Sequence, residues 1–221
     1  MENVALCTAP PLAVSCEYAV VSRTLAGERR CGDAALVCAS GDDGILVAVV
    51  DGLGHGDEAA LAAEVAIQTL REHAGQPVAS LFQRCHENLQ RTRGAAIALA
   101  VIEIASQTVH WSGVGNVEGI LVGAGCAQPR HKQYLTNRGG VVGYRLPVVR
   151  ASQVPILPGD LLIFATDGVD ECFTLGELQR GVPDGIARAI LNRHGKATDD
   201  ALVLVLRWRG PLVGASSGSV P

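Results

Sequence analysis

The stretch Ile45-Leu46-Val47-Ala48-Val49-Val50-Asp51-Gly52-Leu53-Gly54-His55-Gly56 carries an aliphatic run directly into an acid and three alternating glycines. Short β-branched and aliphatic runs bounded by Gly or Asp read as buried strands. The Ala-rich segment Asp57–His73 follows, with acids in its first turn and Arg71 and His73 in its last, which suits the helix dipole and predicts a helix. Strand, glycine loop and helix invite a dinucleotide-binding reading. That pattern needs Gly at 57, where Asp57 stands, and a negative residue there repels a pyrophosphate at a helix N-terminus. The Gly-Lys-Ser/Thr of a P-loop is missing as well. A metal loop explains Asp51 and Asp57 better than a phosphate cradle.

The same grammar returns twice. Leu161–Ala165 leads through Thr166 into Asp167-Gly168, and Asp199-Asp200 stand directly before the apolar run Ala201–Leu206. Asp-Gly is also a common turn dipeptide, because Gly tolerates positive φ and Asp bonds its own backbone, so each site alone reads first as a turn. Three acidic strand ends together point further. Carboxylates gathered in one small volume repel strongly, and a divalent cation resolves the conflict. Oxygen donors favour Mg2+ or Mn2+ over zinc, which takes closely spaced His or Cys.

Strands are expected over Val14–Val21, Ala34–Ala39, Ile45–Val50, Ala96–Ile104, Thr108–Trp111, Glu118–Val122, Leu161–Ala165 and Ala201–Trp208. The short links Ser40–Gly44 and Ser106-Gln107 imply antiparallel hairpins rather than βαβ crossovers. Ser80-Leu81-Phe82-Gln83 reads as a capping box opening a second helix, whose apolar stripe is Leu81, Phe82, Cys85 and Leu89. A third helix is expected over Asp184–His194. Two consecutive helices inserted into a meander of strands fit two sheets packed face to face with helices outside.

A chain of 221 residues suits one domain. It is expected over residues 13–209, with 1–12 and 210–221 loose on account of their Pro, Gly and Ser content. Hydrophobic residues make up 48% and aromatic ones only 4%, so the core is built of Ala, Val and Leu. The net charge of −4 and scattered Lys and Arg point away from a nucleic-acid partner. Seven Cys without a C-x-x-C pair indicate neither a disulfide framework nor a zinc knuckle, and are expected as reduced core residues. The N-terminus lacks a signal-peptide pattern, and the longest apolar run, Ala95–Ile102, falls far below a bilayer span. The expectation is a cytoplasmic protein with no membrane partner.

Taken in order, Asp51–Gly56 with its Ala-rich helix, Gly113-Val114-Gly115-Asn116, Ala165-Thr166-Asp167-Gly168-Val169-Asp170-Glu171 and Thr198-Asp199-Asp200-Ala201-Leu202-Val203-Leu204-Val205 resemble the motifs of PPM-type metal-dependent serine/threonine phosphatases. The likeness covers roughly residues 15–208 and is to the small stand-alone branch typified by RsbX, related to the catalytic domains of RsbU and SpoIIE. It implies an α+β fold, an α-β-β-α sandwich of two mainly antiparallel sheets flanked by helices. It also implies two Mn2+ or Mg2+ ions at the sheet ends. Carried over residue by residue, the resemblance makes Asp51 the bridging carboxylate and Gly52 the donor of a backbone carbonyl. Asp33, Asp167 and either Asp199 or Asp200 complete the metal ligands; Asp200 stands where many relatives carry Asn. In that chemistry a hydroxide held between the ions attacks phosphorus in line, so no protein nucleophile is needed and Ser112, Thr166 and the cysteines are left to structure.

Two departures matter. Leu53 stands where the family commonly has a His proposed as proton donor, and His55, two residues on, is either the substitute catalytic acid or a cap of the loop. Gly32 stands where many relatives have Glu, which bears on the shell of the second ion. Arg29 or Arg30 either holds a substrate phosphate or is simply solvated. The likeness further implies, as substrate, a phosphorylated STAS-domain protein of a stressosome or sigma-factor partner-switching system. Its rivals are a catalytically weak regulator that binds phosphorylated partners on the same fold, and a phosphatase for a small phosphorylated metabolite.

Overall fold

Strand β4 (Gly44–Gly52) is buried along nearly its whole length, so both of its faces must be covered. The computed structural model, which describes residues 4–6, 16–124, 132–170 and 181–211, shows how. Strand β4 lies in a sheet with β1 (Val4–Leu6), β3 (Asp33–Ala39), β5 (Ala95–Glu103), β6 (Thr108–Val114), β9 (Asn137–Arg138) and β10 (Ser152–Pro155). A second sheet holds β2 (Cys16–Arg23), β7 (Glu118–Val122), β8 (Lys132–Tyr134), β11 (Leu161–Ala165) and β12 (Ala201–Trp208), in the order β2-β12-β11-β7-β8. Helices α1 (Gly56–Glu72) and α2 (Val78–Leu89) follow β4, and α3 (Pro183–His194) precedes β12.

Successive strand residues point to opposite faces, and the core follows that alternation. Val37, Val47, Val49 and Trp111 of the first sheet meet Leu162, Phe164, Leu204 and Trp208 of the second. The intervening residues Leu36, Leu46, Ala48 and Val50 pack instead against Ala62, Ala66 and Leu70 of α1 and Leu81, Phe82 and Cys85 of α2. On the far side Ile163, Val203 and Val205 meet Ile186, Ala187 and Ile190 of α3. The result is the α-β-β-α sandwich with mainly antiparallel pairing, as expected.

Several details differ from the sequence reading. The capping box at Ser80 does not exist: α2 begins two residues earlier, after Pro77 in extended backbone, and the amide of Leu81 donates to the carbonyl of Pro77 at 3.0 Å. Burying Val78 in the helix's first turn outweighs the side-chain cap that Ser80 would offer. Strand β6 runs on to Val114, so the Gly113-Val114-Gly115-Asn116 motif starts inside the sheet. Strands β8, β9 and β10 are additional, and within 1–12, expected to be loose, Val4–Leu6 pairs in parallel with β3. The expected tail 212–221 and residues 171–180 lie outside the described residues. Among the described residues no helix is long and apolar enough to cross a membrane.

Candidate metal centre

The register between β3 and β4 places Asp33 opposite Asp51, so one end of the first sheet carries two acids side by side. The second sheet delivers the others to the same place: Asp167 two residues beyond the end of β11, after Thr166, and Asp199 and Asp200 just before β12. Asp51 feels three of the other expected carboxylates and Asp33 feels Asp51. Burial, then the charges of Asp167, Asp199 and Asp200, push Asp51 up to about 8. Burial and Asp51 likewise hold Asp33 well above the usual carboxylate range. Asp167 is raised by burial and Asp199, against the pull of Lys196 and Asn116. The neighbouring charges acting on Asp51 are carboxylates, which is the chemistry that a hard cation relieves. Among the described residues no three His, Cys, Asp or Glu side chains are drawn together around a single point.

The glycines in the acidic motifs are required by close approach. A Cβ on Gly52 would lie 2.1 Å from the carbonyl oxygen of Ala59, because the first turns of α1 press onto the end of β4. A Cβ on Gly168 would lie 1.8 Å from the carbonyl oxygen of Asp200. Gly32, the departure from the resemblance, is boxed in by Ala59 and Asp200 at 2.9 and 3.1 Å.

Asp199 and Asp200 are distinguishable. Both oxygens of buried Asp200 accept backbone amides, from Leu25 and Gly32, each at 2.7 Å. Asp200 therefore clamps the 25–32 loop, while Asp199, half-buried, accepts only the amide of Asp200 in the described contacts and faces the cluster.

Three residues support the site, of which Lys196 escaped the sequence reading altogether. The hydroxyl of buried Thr166 donates to Asp33 Oδ2 at 2.7 Å and accepts the amide of Leu202 at 2.8 Å, tying the two sheets together. Asn116 Nδ2 donates to Asp167 Oδ2 at 2.6 Å, and Lys196 Nζ donates to the Asp167 carbonyl at 2.7 Å. The motif around Gly113 pointed at Asn116 but gave it no role. Thr166→Val is expected to cost about 1–3 kcal/mol, the usual effect of leaving buried polar groups unpaired, and chemical denaturation measures it.

His55 stands at the N-cap of α1 without a side-chain cap bond, so the capping alternative is not what its ring does. Its Nδ1 lies 2.5 Å from Glu28 Oε1. Arg30 pairs with Glu64, and Arg93 with Glu58, on the exposed side of α1. Burial pushes the Cys31 thiol up to about 12, which removes it as a nucleophile near neutral pH. A cleft of about 620 Å3 lined by Ser40, Asp43, Gln76, Glu103 and His110 lies at the opposite end of the β3–β4 hairpin and shares no residue with the carboxylates.

Comparison with known proteins bears on the family and the fold. The chain is 30% identical over 95 residues to phosphoserine phosphatase RsbX of Bacillus subtilis (strain 168), a match covering 43% of the chain and about half (47%) of that protein. A solved chain from the bacterial stressosome, a modular system adapted to control secondary messenger signaling, is 31% identical, with a TM-score of 0.81 over 87% of this chain and 99% of that one. RsbX in complex with magnesium shares the fold, with a TM-score of 0.77, 22% identity, and coverage of 88% of this chain and 96% of that one. Residues 41–209 match the family of stage II sporulation protein E, SpoIIE, and the chain belongs to that family.

Proposed function

We propose that the chain is a metal-dependent phosphatase hydrolysing phosphoserine or phosphothreonine on a STAS-domain protein of a stressosome or sigma-factor partner-switching system. The observation that carries this reading is the gathering of five carboxylates from two sheets, with the charges nearest Asp51 all negative. Asp33, Asp51, Asp167, Asp199 and the Gly52 carbonyl are the ligands in this reading, and Asp200 is the clamp behind them. Two Mg2+ or Mn2+ ions, when bound, supply the Lewis acidity that activates water and offsets the charge on the phosphate. The chain's own residues do the rest. Asn116 and Lys196 hold Asp167 in place, Thr166 holds Asp33, and His55 gives a proton to the departing serine oxygen. The partner is supported by likeness to RsbX, a phosphoserine phosphatase, and to a stressosome chain.

Leu53 and Gly32, the two departures from the resemblance, leave one rival, a regulator that binds phosphorylated partners without turnover. Titration with Mn2+ alongside phosphate release from a phosphoserine STAS protein separates them. Release that saturates with metal supports the enzyme. Tight phosphoprotein binding with no release supports the regulator, and turnover confined to small phosphate esters moves the substrate to a metabolite.

A further inference from the structure

The loop Leu53–Gly56 is shaped around a contact that the metal-site reading does not require. His55 has extended backbone, φ −140° and ψ 170°, between Gly54 at φ +86° and Gly56 at φ +74°. The left-handed glycines turn the ring out of the helix line, and L side chains rarely adopt such backbone. Glu28 comes to meet it. A Cβ on Gly56 would lie 2.6 Å from Glu28 Oε2, so the carboxylate occupies the space that the glycine vacates, while Oε1 takes His55 Nδ1 at 2.5 Å. Glu28 is itself anchored. Its amide donates to the Leu25 carbonyl at 3.0 Å, and Leu25 and Gly32, on either side, both donate to buried Asp200.

An ordinary surface ion pair joins two long side chains that are free to part, and is worth little. Here both partners sit on turns whose backbone is fixed, one by paired glycines and the other by the carboxylate behind the metal ligands. A carboxylate on Nδ1 selects the form with hydrogen on that nitrogen, and Nε2 is the ring nitrogen that the Glu28 contact does not use. The side chains of His55 and Glu28 are 57% and 31% exposed, so a macromolecular phosphoester can reach the ring.

We propose that Glu28 is a positioning residue that, through Nδ1, holds His55 as the proton donor for the leaving serine or threonine oxygen. This rests on the phosphatase reading above. In the step, water attacks phosphorus and gives up one proton to solvent, the bond from phosphorus to the serine Oγ breaks with its electron pair going to Oγ, and the Nε2 proton of His55 moves to that oxygen. Neutral His55 keeps its Nδ1 hydrogen on Glu28 and regains the Nε2 proton from solvent. A good leaving group needs this proton far less than an alkoxide does, so the dependence on leaving group is the signature of the role.

The test uses the whole chain with Mg2+ and compares Glu28→Gln, Glu28→Asp and His55→Gln with wild type on a phosphoserine peptide and on 4-nitrophenyl phosphate. The expected result is a kcat loss on the phosphoserine peptide about 10- to 100-fold larger than on the aryl ester for Glu28→Gln, the usual scale for a group that orients a functional histidine. Glu28→Asp should restore part of it, and the Glu28→Gln, His55→Gln double variant should fall no further than His55→Gln alone. A second readout needs no turnover: 15N spectra of the imidazoles should show His55 protonated on Nδ1 in wild type and a mixture of tautomers in Glu28→Gln. Equal losses on both substrates, or an unchanged His55 spectrum in Glu28→Gln, overturn the positioning role while leaving the phosphatase intact. A wild type that hydrolyses neither ester overturns the phosphatase reading and the proton donor with it.

Discussion

Asp51→Asn is expected to lower metal-dependent phosphate release about a thousandfold, because Lewis-acid stabilisation supplies several kcal/mol and about 1.4 kcal/mol corresponds to each factor of ten. Asp51 carries this weight because it faces Asp33 across the first sheet and feels Asp167, Asp199 and Asp200 from the second. The same substitution should stabilise the metal-free protein. Burial and like charges raise Asp51 from 3.8 to about 8. An acid raised on folding binds more protons folded than unfolded between those two values, so metal-free stability falls as pH climbs from about 4 to about 8, and the penalty stays in full above that. Asp33 is raised as well and pulls the same way. Thermal melts in EDTA should therefore slope downward across that range for wild type and more gently for Asp51→Asn. Mg2+ or Mn2+ should flatten the wild-type slope by binding the folded state alone. A variant that keeps its activity, or a wild-type melt that rises over this pH range, would remove Asp51 from the centre of the site.

Gly168→Ala should be the most damaging single methyl in the chain's acidic motifs. The added carbon would meet the Asp200 carbonyl oxygen at 1.8 Å, its carbon at 2.8 Å and the Ala201 side chain at 2.9 Å. The Asp200 carbonyl stands directly before β12, whose first residue Ala201 is pinned opposite Arg23 of β2, and cannot step aside cheaply. A loss of about 3 kcal/mol or more follows from forced overpacking. For a domain of this size that lowers Tm by roughly 10 °C. Gly139→Ala is the control, since nothing lies within 4 Å of its added carbon, and its Tm should not move measurably. Equal melting of the two variants would refute the close approach of the Asp167 turn to Asp200.

The acidic ends of β4, β11 and β12 were readable because each motif joins two local signals, an apolar run and a carboxylate at its end. The hairpin order was readable for the same reason: turns and alternation act over a few residues. The edge strands were not, because β8 and β9 are short and polar, and Pro155 closes β10, where a sheet tolerates proline only at its margin. The start of α2 was misplaced because a plausible cap at Ser80 competed with burial of Val78, which depends on the sheet beneath. The supporting residues of the site are tertiary by nature. Asn116 lies 51 residues from Asp167, Thr166 lies 133 from Asp33, and Glu28 lies 27 from His55. Chain spacing carries no trace of such pairs. Asp200 was read as one of the metal ligands, whereas its work as a backbone clamp follows from two amides that only the folded 25–32 loop brings to it.

The hydroxyl of Thr166, shared between Asp33 on one sheet and Leu202 on the other, makes the acidic cluster a property of the assembled sandwich rather than of either half. A fragment holding the β3–β4 hairpin keeps two acids, and one holding β11 and β12 keeps three, each without its counterparts. The cluster thus marks whether the two layers are in register, and a shift of one layer against the other would disperse it while every strand stayed intact.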